Sequence, residues 1–455
     1  MNHFDEDDLH RLVKLALDSG RARSIEEARA LFEGYALDVS VDAEAAQQRE
    51  HQIALLTTVV LARRVFLGGV RVTGALDTRV VDDMPVAGTL EEAIVKLGGL
   101  PNARADGAGR ADRPLITIGA RPLPRTSAYH VRPVYVGWRG GVAPADAELT
   151  AAAAMPLAPM LAAGLAVNEA FAFVADGDDV AGRRPLGLSL WNPSTDWLAD
   201  DGAPPLEFLP SRLWLIGLGH LGQAYLWALG LLPYPNGGLE LVLQDIDVIT
   251  RSTESTSILT DASMIKSKKT RAMAAWAEAR GFTTAIQERR FDDSFRLQSD
   301  EPRVALCGVD NAIARRALDS AGFELVVEAG LGNGHRDFRT MRVHTLPATR
   351  TASEIWKDVG SGEDVSEQPA YQQMLADGVV DRCGITVLAG KAVGAPFVGS
   401  VASALVISQL LRLLHGGTVD ALVDLDLRSV EHRHVVPTRR NFAAFNPGYV
   451  SATGR

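Results

Sequence analysis

Gly217-Leu218-Gly219-His220-Leu221-Gly222 has the spacing of a phosphate-binding turn. It follows the apolar run RLWLI (212–216) and opens a second apolar stretch, the strand-turn-helix context such a turn requires. The first glycine permits the tight turn, the second lets backbone approach a phosphate, and the third allows helix to pack on strand. A helix starting there offers unpaired N–H groups to an anion. Asp245 and Asp247 in LVLQDID stand where an acid meets a ribose, with Asp245 read as the ribose contact and Asp247 as a turn cap. Lys266, Lys268 and Lys269 open a further helix, from which a lysine can reach α- or β-phosphate oxygens. VALCGVDNAIAR ends a strand at Asp310-Asn311. A carboxylate at that strand end, facing a polyphosphate, suits magnesium better than hydride chemistry. It could also cap the helix 311–320. The predicted cofactors are therefore ATP and Mg2+. NAD is the alternative that the glycine turn and Asp245 leave open, although nothing marks a hydride-transfer site.

The elements that must position these residues read as α/β. In the second half, apolar runs at 212–216, 239–244, 303–308 and 324–330 alternate with helical stretches, the βαβ signature of a doubly wound sheet. A buried helix is predicted near 395–415, and 331–382 reads as long, polar and irregular. In the first half, residues 1–50 read as an N-terminal helical element with Ser24 as a cap. Strands are predicted at 115–119 and 131–138, a polar loop at 100–113, and a small-residue helix at 151–174. The proline- and glycine-containing stretch 183–210 reads as a linker. The segments are thus 1–50, 51–200, 205–417 and a C-terminal tail 418–455 with short strand-like pieces and a frayed end. APMLAAGLAVNEAFAFVADG (158–177) echoes APFVGSVASALVISQLLRLLHG (395–416), either as an internal duplication or as two buried helices of like composition.

With 46 Lys+Arg against 56 Asp+Glu, the net charge of -10 disfavours nucleic acid and anionic membrane surfaces as partners. Prolines and polar residues interrupt the longest apolar run, so no membrane span is expected. The two cysteines, Cys307 and Cys383, cannot form a disulfide framework or a four-cysteine zinc site. The acidic start MNHFDEDDLH is unlike a signal peptide, and a cytoplasmic location is expected.

Taken together, GLGHLG, the acid pair of LQDIDVI, the lysine of IKSKK, the DN-x4-R of DNAIAR and the closing GAPFVGSVASALVISQLLRLL resemble one family over residues 211–417. It is the superfamily of ubiquitin-activating enzymes and their bacterial relatives in thiamine and molybdopterin synthesis, ThiF and MoeB. The resemblance implies an α/β fold, with a Rossmann-like adenylation domain preceded by a degenerate pseudo-adenylation half. It implies ATP-dependent adenylation of the C-terminal glycine of a ubiquitin-like protein. By carry-over, Gly217, Gly219 and Gly222 cradle the nucleotide, Asp245 holds the ribose, Lys269 the phosphates and Asp310 the magnesium. Arg315 is read as structural.

The sequence departs from the family after the acid pair. Where the family has S-N-x-x-R-Q, this chain has Ser252, Thr253 and Thr256, so the usual arginine is missing. Ser252 can still meet a phosphate, but a hydroxyl brings no positive charge. Arg251, Lys268, Arg63 and Arg64 are candidate substitutes. Cys383 lies where thioester-forming relatives place a cysteine, and Arg382 and Lys391 would favour its thiolate if near. The alternative for Cys383 is a small apolar residue before a helix; Cys307 reads as core. The implied partners are a glycine-ended ubiquitin-like protein and a ubiquitin-conjugating-type carrier enzyme, and a homodimer fits the family. Two halves and a cysteine in one chain look like the activating enzymes of bacterial ubiquitin-like conjugation operons, some linked to phage defence. The other readings are a peptide or sulfur-carrier adenylyltransferase without thioester chemistry, and an inactive scaffold.

Overall fold

The computed structural model describes residues 6–102, 113–357, 364–378, 380–442 and 445–452; most of the polar loop expected at 100–113 lies outside these. Two large sheets organise the molecule. The first comprises β1 (Leu37–Val41), β2 (Val70–Gly74), β3 (Leu100–Pro101), β4 (Leu115–Ile118), β5 (His130–Val136), β6 (Arg139–Pro144) and β7 (Leu186–Ser189), in the order β3-β2-β1-β4-β5-β6-β7. After a short strand β8 (Phe208–Pro210) comes the second sheet. Its members are β9 (Arg212–Ile216), β10 (Glu240–Gln244), β11 (Thr283–Gln287), β12 (Val304–Cys307), β13 (Leu325–Leu331), β14 (Thr340–Leu346), β15 (Asp420–Asp426) and β16 (His434–Pro437). They lie in the order β11-β10-β9-β12-β13-β14-β15-β16. A last strand, β17 (Tyr449–Ser451), pairs with β8.

The first seven strands of each half therefore follow one order, third-second-first-fourth-fifth-sixth-seventh. The pairing sense also agrees, with five parallel strands and then antiparallel ones. The two echoing sequence segments are the equivalent helices Leu157–Phe171 and Pro396–Leu414, each in the crossover between the sixth and seventh strands. The helices pack directly on each other. Gly164 permits the approach, since a Cβ there would lie 3.0 Å from Val401. Phe171 and Phe397 meet at 5.9 Å between ring centroids. The helical segments Leu157–Asp176 and Pro396–Leu414 are long and apolar enough to cross a membrane by length and composition, but nine-tenths of the apolar window in each is buried inside the protein. Their apolar character is that of a core between two domains.

The central strands explain the sheet positions. Leu213 and Leu215 of β9 enter one core, Trp214 and Ile216 the other; β10 and β12 alternate in the same way. A strand apolar on both faces belongs in the middle of a helix-covered parallel sheet.

The strand-like pieces expected in the tail 418–455 are β15 and β16, which join the second sheet, and β17. Three expectations are corrected. The segment 1–50 is not wholly helical, because β1, with Leu37, Val39 and Val41 buried, lies inside the first sheet. The irregular stretch 331–382 contains β14, and the linker 183–210 contains β7. Strands β1 and β7 are secured by pairing with β2 and β4 and with β6, and β14 on one side with β15 about 80 residues on, a stabilisation that local pattern does not reveal.

Candidate active site

The turn between β9 and the helix His220–Leu231 is held by close backbone contacts. Gly217 has φ 86°, a conformation that favours glycine, and its N–H donates to Gln244 O at 2.9 Å. A Cβ on Gly222 would lie 2.0 Å from Gly217 O, whereas a Cβ on Gly219 would meet nothing within 4 Å. The first and third glycines are thus demanded by the fold, while the second leaves open space at the helix N-terminus. Gly217 also abuts Gly308 and Val309, which brings the turn after β12 alongside.

Asp245 is tied to this turn. Its Oδ2 accepts the Leu218 N–H at 2.7 Å and its Oδ1 the Asp247 N–H at 2.8 Å. Lys269 Nζ lies 2.9 Å from Asp247 and 3.9 Å from Asp245, and Lys268 Nζ donates to Ile246 O at 2.5 Å. The structure therefore joins Asp245, Lys269 and the glycine turn in one cluster. Asp247 is the lysine's ion-pair partner. Lys266 adopts φ 74° in the turn before that helix. Asn311, not Asp310, caps the helix Ala312–Ala321, its side chain accepting the Ala314 N–H at 2.7 Å. Asp310 is left exposed. His220 packs on the start of the final helix, where a Cβ on Gly399 would lie 2.4 Å from its Nε2. Burial pushes its pKa down to about 4, so the imidazole is neutral at pH 7.

Of the candidates for the missing arginine, Lys268 is engaged by Ile246 O beside Asp245, and the three arginines fall elsewhere. Ser252 is buried in a one-turn helix, Arg251–Glu254, with its Oγ 3.1 Å from Thr250 Oγ1. Thr253 completes a capping box with Thr250, and Thr256 packs near Gly394. Arg251 points to Asp8 at 3.5 Å. Arg63 lies 3.3 Å from Glu254, and Arg64 donates to the carbonyls of Glu254, Ser257, Ile258 and Thr260. These two arginines brace the loop rather than face the glycine turn. The residue that sequence reasoning missed is Arg11. Its N–H donates to Ser255 Oγ at 3.1 Å and its Nη1 to Ala392 O at 3.4 Å. Burial lowers its pKa, opposed by the charges of Asp7 and Asp310. No spacing signal could have found a residue 244 positions from its partner.

Cys383 is exposed in the first turn of the helix Arg382–Gly390, whose N-cap Asp381 accepts the Gly384 N–H at 2.7 Å. Lys391 lies past the other end of this helix and pairs with Asp7 at 2.9 Å, so it is not the cysteine's neighbour. Cys307 is fully buried, and burial followed by the Glu328 charge pushes its thiol up to about 12. On the neighbouring strand β14, His344 stands 3.2 Å from Glu328.

The equivalent turns of the first half have different chemistry. Asp42 follows β1 where Gly217 follows β9, and its carboxylate accepts the Ala45 N–H at 2.7 Å. Ala75 follows β2 where Asp245 follows β10, and Arg121 stands three residues past β4 where Asp310 stands three past β12. An acid thus stands in the first half where the second has Gly217, and a base where it has Asp310.

Comparison with known proteins agrees with this two-part architecture. A family model described as the BilD N-terminal domain matches residues 36–190, and one described as the BilD C-terminal domain matches 209–417. The bacterial E1-like protein BilD of Collimonas sp. (strain OK412) is 46% identical over 420 residues, covering 91% of this chain and 90% of that protein. Crystal structures of E. coli MccB are similar at 11% identity: MccB alone with a TM-score of 0.32 and MccB with ATP with 0.33. These matches span 52% and 51% of this chain and 65% of MccB, just under two thirds of its length. The chain belongs to the BilD family of bacterial E1-like proteins.

Proposed function

We propose that this protein adenylates the C-terminal glycine of a ubiquitin-like protein and then takes the acyl group onto Cys383. In the first step a carboxylate oxygen attacks the α-phosphorus of ATP, and pyrophosphate leaves. In the second the Cys383 sulfur attacks the acyl carbon, AMP leaves, and the thioester passes to a carrier enzyme. The observation that carries this reading is the cluster itself: an open glycine turn with Asp245 and Lys269, and against it the turn after β12 that leads to the exposed Asp310, whose charge is felt by Arg11. Such displacements depend on positioning and on charge neutralisation.

Asp310 also fits the magnesium ion that the reading implies. It is a hard oxygen donor, exposed, and not used as the helix cap. No cluster of three or more metal-ligating side chains occurs among the described residues, so phosphates and water would supply the other ligands. Bound there, the ion would neutralise phosphate charge. Lys269 would hold phosphate oxygens, Asp245 the ribose, and Arg11 would bring the charge that Thr256 lacks. A cytoplasmic setting, with reduced thiols, belongs to the same proposal.

The test is exchange of labelled pyrophosphate into ATP in the presence of candidate ubiquitin-like proteins. Exchange should require a glycine-ended partner and fall by about 100-fold or more in Asp310→Ala. If ATP binds but no glycine-ended partner supports exchange, the proposal fails. Cys383→Ala should keep exchange and lose the thioester. Full carrier charging by that variant would favour an adenylyltransferase without thioester chemistry.

A further inference from the structure

Behind Asp310 lies a polar cluster that takes no direct part in the proposed reaction. Glu328, in the middle strand β13, is completely buried. Arg315 Nε stands 2.8 Å from its Oε1, and His344 Nδ1 3.2 Å from its Oε2. The same guanidinium donates from Nη2 to Val309 O at 2.9 Å, the carbonyl immediately before Asp310. It lies against Gly330, where a Cβ would be 3.2 Å from Nη2, and stands 5.7 Å from the centre of the Trp356 ring. Trp356 in turn meets His344 edge-on at 5.3 Å. A carboxylate in a sheet interior is costly and persists only when paired. Here Nε and Oε1 meet as opposite charges without a hydrogen bond between them, and the hydrogen bond of the guanidinium goes to the turn that carries Asp310.

We propose that Glu328 and Arg315 are positioning residues for Asp310: the buried carboxylate fixes the guanidinium, and the guanidinium fixes the Val309-Asp310 turn. This deepens the adenylation reading and rests on it for the role of Asp310. Glu328 also restrains the arginine electrostatically. Once Glu328 is neutral, the guanidinium keeps its charge and Asp310 becomes a carboxylate it can turn to, in competition with a cation. Glu328→Gln keeps the shape of the side chain and removes the charge, so it separates these effects from a packing loss.

The test has two arms on the full chain. Without ligand, amide hydrogen exchange of residues 308–312 should rise at least tenfold in Glu328→Gln and in Arg315→Lys, with the rest of β12 and β13 unchanged. By calorimetry, the wild type should bind ATP more tightly with Mg2+ than with EDTA. Glu328→Gln should lose most of that difference while its metal-free affinity stays within about twofold, and it should have no further effect in an Asp310→Ala background. A purely structural role would instead weaken ATP binding equally with and without Mg2+. Unchanged exchange at 308–312, an intact Mg2+ dependence, or additivity with Asp310→Ala would each overturn the inference. If the wild type bound no ATP, the adenylation reading would fail, and the exchange arm would still decide whether Glu328 and Arg315 position the turn.

Discussion

At the scale of single residues, the three glycines of the turn make separable predictions. Gly222→Ala forces a methyl group to 2.0 Å from the Gly217 carbonyl oxygen, so the turn must open. Its melting temperature should fall and nucleotide binding should be lost together. Gly219→Ala adds a methyl group where nothing lies within 4 Å. It should melt close to the wild type yet bind ATP at least tenfold more weakly, because the methyl group occupies the space a phosphate would enter. Thermal melts and calorimetry on the two variants check this; equal losses of stability in both would contradict it. Arg11→Ala should keep the fold and slow pyrophosphate exchange by about 100-fold, the scale of one lost electrostatic contact in such a site. An unchanged rate would show that Arg11 is only a strut between Ser255 and Ala392. That the glycine turn, Asp245 and Lys269 come together, with Asp310 on the adjoining turn, was legible from types and spacing. Arg11 was not, since its place depends on the N-terminal segment crossing to the other half.

At the scale of elements, the legible strands are those buried on both faces. RLWLI was readable as β9, with residues 213–216 all buried. The strands β14, β15 and β16 alternate or lie exposed at a sheet edge, and the pairing of β14 with β15 spans the whole crossover. A local pattern cannot carry that information. The first sheet also holds a polar ladder that predicts acid sensitivity. His130 on β5 is buried, its Nε2 2.9 Å from Thr117 Oγ1 on β4, and Thr117 is 2.7 Å from Ser40 Oγ on β1. Its Nδ1 accepts the Thr126 N–H at 3.2 Å, which places the proton on Nε2. Burial, then Arg125 and Arg132, against Asp146, lower its pKa to about 4. The unfolded chain therefore binds this proton at higher pH than the native state. Stability should be level above about pH 6.5 and decline as pH falls towards 4, by up to about 3 kcal/mol from this residue. His130→Gln should flatten the fall in melting temperature between pH 7 and 4.5. An unaltered slope would assign the sensitivity to other groups, such as His220.

At the scale of the whole molecule, one chain contains two topological repeats, and Asp42 and Arg121 stand in the first where Gly217 and Asp310 stand in the second. The first half reaches across to the second through its N-terminal segment. Residues 6–18 leave it to touch the one-turn helix that carries Ser252 and the segment that carries Cys383. The crossing is pinned by a buried network. Lys14 Nζ donates to Asp18 Oδ2 at 2.5 Å and to Ala389 O at 3.1 Å, and the Tyr371 hydroxyl donates to Asp18 Oδ1 at 2.5 Å. Lys14 and Asp18 are both almost wholly buried. Burial lowers the Lys14 pKa and the Asp18 charge opposes that, so the lysine depends on its partner to remain charged there. Asp18→Ala would leave an unpaired buried cation and should cost about 3–5 kcal/mol. Because Arg11 lies on the same segment, pyrophosphate exchange should fall with stability. The double variant Lys14→Met/Asp18→Leu removes both charges and fills the space, so it should recover most of both losses. If exchange recovers with stability, the network serves to dock the segment. If stability returns and exchange does not, Lys14 or Asp18 acts on the site directly. If Asp18→Ala melts early but exchanges at the wild-type rate, Arg11 does not owe its position to this network, and the coupling between the halves must run through the helices Leu157–Phe171 and Pro396–Leu414 instead.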